Sequence, residues 1–437
     1  MSPEILAVAL FGGLLFLLFT GLPVAFCLIG ISVVGYLLQG GPGALYGVFS
    51  SAYVSIIKDI FIAAPLYVFM SCILVVSGIG KALYDTMFKW MSGLRGGLAM
   101  GTVLICTVLA ASSGLAATGT IMLGMIGYPE MRKRGYDKSL AIGCILGGGS
   151  LGPIIPPSVF MILVGGLTSL SIGKLFMGAL IPGLMMSASF ILYIGIRGLL
   201  NPKLCPGVAK EEQATWNEKL ASLRATVLPV LLVVFVLGAI YTGLATPTEA
   251  GGVGAGGALV CAAIYRNLTW DRFKQAAITT LKVNAMLMWL VIGGTMFASV
   301  TSLGGAARVV EAGVLALPLS PFGTLILMIV VILILGMFME NVAIAMITLP
   351  IFMPIAVSLG FDPLWFGIIY SISVLIGIIT PPFGYSLFYF KGLGHPDVSL
   401  RDVYTASLPF AGLMSFVLAL CLVFAQLSLW LPNAMIR

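Results

Sequence analysis

The groups able to do chemistry in this chain are oxygen donors set into apolar runs. Residues 150–158 read SLGPIIPPS and residues 375–383 read LIGIITPPF, so Pro156 with Pro157 and Pro381 with Pro382 each sit beside a hydroxyl, Ser158 or Thr380. Proline lacks an N–H and clashes with the carbonyl four residues earlier, so a pair unwinds a turn and releases main-chain carbonyls. In a lipid-spanning helix such a break is tolerated only where it faces protein, water or a bound ion. Carbonyls and hydroxyls suit Na+, and the positive N-terminal ends of half-helices suit an anion. Two stretches rich in small or polar residues, ASSGLAATG at 111–119 and GMFMEN at 336–341, are the expected partners of the two breaks.

The elements that position these groups must lie in a membrane. Of 437 residues 60% are hydrophobic and 8% charged, with a mean hydropathy of +1.14. That leaves too little polar surface to coat a soluble globule. The first apolar run, from Glu4 to Thr20, lacks a basic lead and a small-residue cleavage site, so it reads as a retained span. Expected spans are 5–20, 23–39, 59–78, 139–167, 175–198, 225–242, 248–265, 276–303, 364–391 and 402–430. Between them lie paired apolar runs, 97–111 with 115–130 and 321–336 with 340–357, too short to cross comfortably and suited to re-entrant hairpins.

The two proline pairs are separated by 225 residues, and that offset also relates Pro129 to Pro354, Gly135 to Gly360, Asp137 to Asp362 and Gly152 to Gly377. It predicts an internal repeat. The first half is 1–198, with a hairpin at 95–131 and a broken helix at 139–167. A cytoplasmic linker at 199–223 leads to a second half, 224–437, with a hairpin at 320–357 and a broken helix at 361–391. Five crossings per half is odd, which inverts the second half relative to the first. Charge agrees: MRKRGYDK at 131–138 carries four basic residues, and its counterpart AVSLGFDP at 356–363 carries none. With the first cluster inside, 14 of the other 18 Lys and Arg also fall inside, and only Lys58, Lys174, Arg308 and Arg437 fall outside. The net charge of +7 is then mostly this inward bias and not a nucleic-acid footprint.

Several residues have a bland reading beside the functional one. One proline pair alone is more often a kink; two at a common offset, each with a hairpin partner, favour a site. Glu340 is an ionisable group at a hairpin tip, either functional or exposed to an aqueous vestibule. Glu249, in TPTEAGG, reads as part of a helix start with Thr246 or Thr248 as cap. His395 lies in a loop-like GLGHPD and is expected to be solvated. The seven cysteines show no metal spacing, and no transition metal or cofactor is expected.

GPIIPPS (152–158), ATPTEA (245–250), GMFMEN with ITLPIFMPI (347–355) and GIITPPFG (377–384), in that order, resemble the large membrane subunit of tripartite ATP-independent periplasmic (TRAP) transporters over nearly the whole chain. The resemblance implies an elevator-type secondary transporter in the bacterial inner membrane. It would take up a small carboxylate delivered by a periplasmic binding protein, beside a small four-helix membrane subunit, with Na+ as coupling ion. It would place one Na+ at Ser112, Ser113, Gly152, Ile155 and Ser158, and a second at Gly336, Gly377, Thr380 and Phe383, largely through main-chain oxygens. Substrate contacts would come from Gly114, Thr118, Pro157, Glu340, Asn341, Pro382 and Tyr385. A self-sufficient ion-coupled carrier of similar design is the alternative. An intramembrane enzyme is disfavoured by the absence of HExxH, GxSxG and Walker motifs, and a channel by paired hairpins and broken helices that imply alternating access.

Overall fold

The computed structural model describes residues 2–91, 93–113, 116–207 and 214–435, and among the described residues there are helices and no strands. The chain is an all-α polytopic membrane protein. Its first half runs through α1 (Pro3–Phe19), α2 (Val24–Gly40), α3 (Tyr46–Ile56), α4 (Ala63–Val76), α5 (Ile79–Met91), α6 (Gly97–Ser113), α7 (Ala116–Lys133), α8 (Lys138–Gly149), α9 (Val159–Thr168) and α10 (Ile172–Leu200). The second half runs through α11 (Trp216–Tyr241), α12 (Pro247–Ile264), α13 (Trp270–Leu303), α14 (Ala306–Leu315), α15 (Pro321–Phe338), α16 (Asn341–Ser358), α17 (Pro363–Ile378), α18 (Tyr385–Lys391), α19 (Leu400–Val423) and α20 (Gln426–Asn433).

The starts and stops follow from local chemistry. Asp137 and Asp362, 225 apart, accept from the N–H of Leu140 at 3.0 Å and of Trp365 at 2.8 Å and so begin α8 and α17. Thr246 and Glu249 close a reciprocal capping box at the start of α12, which settles the reading of TPTEA. Gly135 and Gly360, also 225 apart, take φ of 78° and 85°, where a side chain would be strained, and turn the chain between hairpin and broken helix. The offset extends to whole elements: moving α7 by 225 gives the bounds of α16, and moving α6 gives α15 to within a residue.

Packing follows the same correspondence. α4 packs on α12 and α13 on α2; α5 packs on α11 and α14 on α1. At the centre, α8 lies against α6 and α7 while α17 lies against α15 and α16. The second parts of the broken helices reach across, α9 to α16 and α18 to α7. The hairpins and broken helices thus form one buried cluster, with α8, α9 and α17 almost wholly enclosed. Outward-facing Phe16, Phe19, Leu192 and Leu199 give the apolar exterior that lipid requires.

Four expectations are corrected. The 199–223 linker shrinks, because α10 continues to Leu200 and a Thr215/Glu218 capping box starts α11 at Trp216. The runs at 321–336 and 340–357 form helices of 18 residues, each long and apolar enough to cross alone, so shortness is not what makes them a hairpin. The 402–430 run is divided, α19 ending at Val423 before α20. His395 is half-buried, its ring 4.6 Å from that of Tyr128 and its Nε2 3.0 Å from the Gly124 carbonyl.

Candidate functional site

The first break is a buried turn between α8 and α9. Leu151 O accepts from the N–H groups of Ile154 and Ile155 at 3.1 and 3.0 Å, and the Pro156–Pro157 bond is cis. Ser158 caps α9, accepting from Met161 N at 3.3 Å while donating to Pro153 O at 2.6 Å. Among the described residues, no donor reaches the carbonyls of Gly152 or Ile155. Both are buried, so they are acceptors in want of a cation or water.

At the second break Thr380 N donates to Gly377 O at 3.0 Å, and the Thr380 hydroxyl donates to Ile376 O at 2.6 Å, closing the end of α17. Pro381–Pro382 is cis, and the Pro382 carbonyl accepts from the Tyr404 hydroxyl. A Cβ on Gly384 would lie 2.8 Å from the carbonyl oxygens of both Ile378 and Thr380, so these oxygens converge on a space that only glycine leaves open. Phe383 points its ring at Phe338 at the end of α15, with centroids 5.2 Å apart.

Each break is pressed by its own hairpin. On the first side a Cβ on Gly119 of α7 would come within 3.1 Å of the Cα of Gly149. On the second, Gly336 of α15 and Gly377 of α17 meet backbone to backbone, and a Cβ on either would fall 2.7 Å from the other's Cα. Glu340 and Asn341 form the turn between α15 and α16; Asn341 is buried and its Oδ1 accepts from Val342 N at 3.0 Å. Tyr385 packs on Tyr389, ring centroids 4.5 Å apart.

The residues singled out in the sequence fall into two groups, one per break. Gly152, Ile155, Pro157 and Ser158 lie together at the first. Gly336, Gly377, Thr380, Pro382, Phe383 and Tyr385 lie at the second, and Glu340 and Asn341 lie at the tip of the hairpin that carries Gly336. Gly114 lies outside the described residues, as do the side chains of Ser112, Ser113 and Thr118 at the ends of α6 and α7. Two hydroxyls escaped notice: Thr120 Oγ1 and Ser386 Oγ are buried without a partner among the described residues. Thr120 packs on Gly149, and Ser386 is the second residue of α18. Their signal was a small hydroxyl residue within a turn of a helix start at a tip or break.

The donor set is hard oxygen throughout. Among the described residues no three His, Cys, Asp or Glu side chains come together as a metal site. Main-chain carbonyls and hydroxyls of this kind are the ligands that hard cations prefer.

Residues 11–427 match the family described as tripartite ATP-independent periplasmic transporter, DctM component. The chain belongs to this family of TRAP transporter large permeases. It is similar to the C4-dicarboxylate TRAP transporter large permease protein DctM of Pseudomonas aeruginosa, 33% identical over 373 residues, covering 85% of this chain and 86% of that one. It is also similar to the 2,3-diketo-L-gulonate TRAP transporter large permease protein YiaN of Escherichia coli, 33% identical over 347 residues, covering 78% and 80%. The ectoine permease TeaC of Halomonas elongata is 28% identical over 423 residues, covering 96% and 97%. Among solved structures, the Alcanivorax borkumensis YdaH transporter superposes with a TM-score of 0.63 at 13% identity over 99% of each chain, a likeness of fold alone. This TRAP permease is a transporter subunit and not an enzyme.

Proposed function

We propose that this permease carries a small organic carboxylate inward across the bacterial inner membrane, coupled to the Na+ gradient by an elevator movement of its hairpins and broken helices. The observation that supports this most is the pair of proline breaks, 225 residues apart, each with hard oxygen donors at it and its own hairpin pressed on it. Ser158, with the carbonyls of Gly152 and Ile155, would hold one Na+; Thr380, with carbonyls around Gly384, would hold the second. Gly336 and Gly377 seat the hairpin so that ion occupancy and closure are coupled. Glu340, Asn341 and Tyr385 would face cargo at the second tip. The matched helix bounds and exchanged packing favour two halves of inverted topology, with the basic cluster at 131–138 cytoplasmic.

Membership of a tripartite family supports two partners, a small membrane subunit and a periplasmic binding protein. Relatives named for C4-dicarboxylate and 2,3-diketo-L-gulonate favour a carboxylate cargo. Reconstituted protein is expected to move cargo appreciably only with both partners and an inward Na+ gradient. Comparable uptake by this subunit alone would support the self-sufficient carrier instead, and uptake that followed a proton gradient and ignored Na+ would overturn the ion assignment.

A further inference from the structure

Away from both breaks, a cavity of about 760 Å³, lined by apolar residues together with hydroxyls and two charged side chains, runs between α3, α13 and α14 on one wall and α9 and α16 on the other. A second space of about 360 Å³ continues it along α3, sharing Ser50 and Ser299. No residue assigned above to ion or cargo lines either part. The size lies within the range of small-molecule sites.

The lining carries open hydrogen-bonding capacity. Among the described residues nothing pairs with the Arg308 guanidinium, the Glu311 carboxylate, or the hydroxyls of Ser50, Ser299 and Ser302. Neighbouring hydroxyls are already used: Tyr36 with Ser51 at 3.0 Å, and Thr301 donating to Phe297 O at 2.8 Å. Lys58, at the other part of the trench, spends one N–H on Gly166 O of α9 at 3.2 Å and keeps two. The sequence adds an independent argument. In the proposed topology only four of the 22 basic residues lie outside, and Lys58 and Arg308 are two of them. Outer loops are ordinarily poor in Lys and Arg, so two in one trench point to a task other than orientation.

We propose that this trench is an outer reception site for a small hydroxylated carboxylate, which it holds before the cargo reaches the breaks. Arg308 takes the carboxylate through its planar pair of N–H donors. Ser299, Ser302 and Glu311 take the hydroxyls, and Lys58 draws the anion along the trench. The site rests on the carboxylate-uptake reading, but its charge can be read without transport.

Ala298 lines both parts of the trench, and the seven native cysteines are buried or half-buried, so a lone Ala298→Cys thiol is a clean reporter. In proteoliposomes of the full chain, its labelling rate with an anionic and with a cationic methanethiosulfonate is compared, each relative to a free thiol. The anionic reagent is expected to be favoured by about tenfold. That ratio should fall several-fold in Arg308→Gln, be kept in Arg308→Lys, and fall again when Lys58→Gln is added. Millimolar L-malate should slow anionic labelling in the parent and not in Arg308→Gln. Equal rates for the two reagents, a ratio indifferent to Arg308→Gln, or no slowing by malate would each overturn the proposal. A positive trench in a protein that then fails to carry carboxylates with its partners would leave the site standing and sink the uptake reading.

Discussion

Replacing Gly377 by alanine tests whether close seating of the second hairpin on its break governs ion binding. A Cβ at 377 would lie 2.7 Å from the Cα of Gly336 and 3.1 Å from the carbonyl oxygen of Leu333. Ordinary carbon contacts are about 3.5–4.0 Å, so α15 has to retreat by about 1 Å. The obstacle is backbone, which cannot swing aside as a side-chain end does. Overpacking of this kind costs about 1–3 kcal/mol, and alanine regains at most about 1 kcal/mol over glycine in a helix. If the net loss of about 1.4 kcal/mol falls on the seated, ion-holding arrangement, the Na+ concentration for half-maximal uptake rises about tenfold. Gly336→Ala should behave alike, and the double variant should cost less than the sum, since one displacement relieves both. Gly412, on α19, has nothing within 4 Å of its would-be Cβ, so Gly412→Ala is the control and should be neutral or slightly stabilising. Uptake against Na+ concentration and thermal unfolding of the purified protein are the assays. Gly377→Ala matching Gly412→Ala in both would refute the seating argument.

Three other outcomes are expected. Thr380→Val, nearly isosteric, should raise the Na+ requirement with little loss of transport at saturating Na+; an unchanged Na+ dependence would reduce Thr380 to the cap it forms on Ile376 O. Cysteines at Lys133 and Ser358, both exposed and 225 residues apart, should label from opposite faces with an impermeant thiol reagent, and labelling from one face would end the inverted topology. In the loop before α19, the Asp397 carboxyl accepts from the Tyr128 hydroxyl at 2.7 Å, which holds its pKa below the ordinary 3.8. The depressed value means that this stabilisation is present above 3.8 and is lost as pH falls through the folded value. Asp397→Asn should therefore melt lower than the parent at neutral pH, with the gap closing on acidification; a gap that stays constant to pH 3 would show that Asp397 acts only by shape.

Much of the centre was legible because its determinants are local and occur twice. Asp137 and Asp362 announce helix starts, Gly135 and Gly360 announce turns, and the proline pairs announce breaks, each readable without knowing the fold. The start of α11 was also written locally, as Thr215 with Glu218, but inside a polar stretch that reads as linker. α3, α5 and α14 were missed as helices for another reason. They are short, and α5 and α14 mix charge with apolar residues, so a search for spans passes over them. His395 was misread because its partners, Gly124 and Tyr128, lie far away in the sequence on α7. The four basic residues at 131–138 carry more than an orientation signal. Arg132 meets Asp397 and Lys138 meets Asp402 at 2.8 Å, tying the end of α7 and the start of α8 to the start of α19, while Arg134 meets Glu130 of its own helix turn at 2.9 Å.

The repeat is closest in backbone and loosest in side-chain chemistry, so the two proposed ion positions would differ. The offset of 225 carries Ser158 onto Phe383 and Ile155 onto Thr380. One break therefore has its hydroxyl after the proline pair and the other before it. After the pair, Ser158 begins a helix, and its oxygen both accepts from Met161 N and donates to Pro153 O, leaving one lone pair. Before the pair, Thr380 ends a helix and only donates, to Ile376 O, leaving two. The closing glycines also differ, Gly119 on α7 at the first break and Gly336 on α15 at the second. A cation at the second break would thus meet a hydroxyl free to ligate, with a hairpin seated by direct backbone contact. A cation at the first would lean more on the carbonyls of Gly152 and Ile155 and on a serine already committed to holding α9 in place.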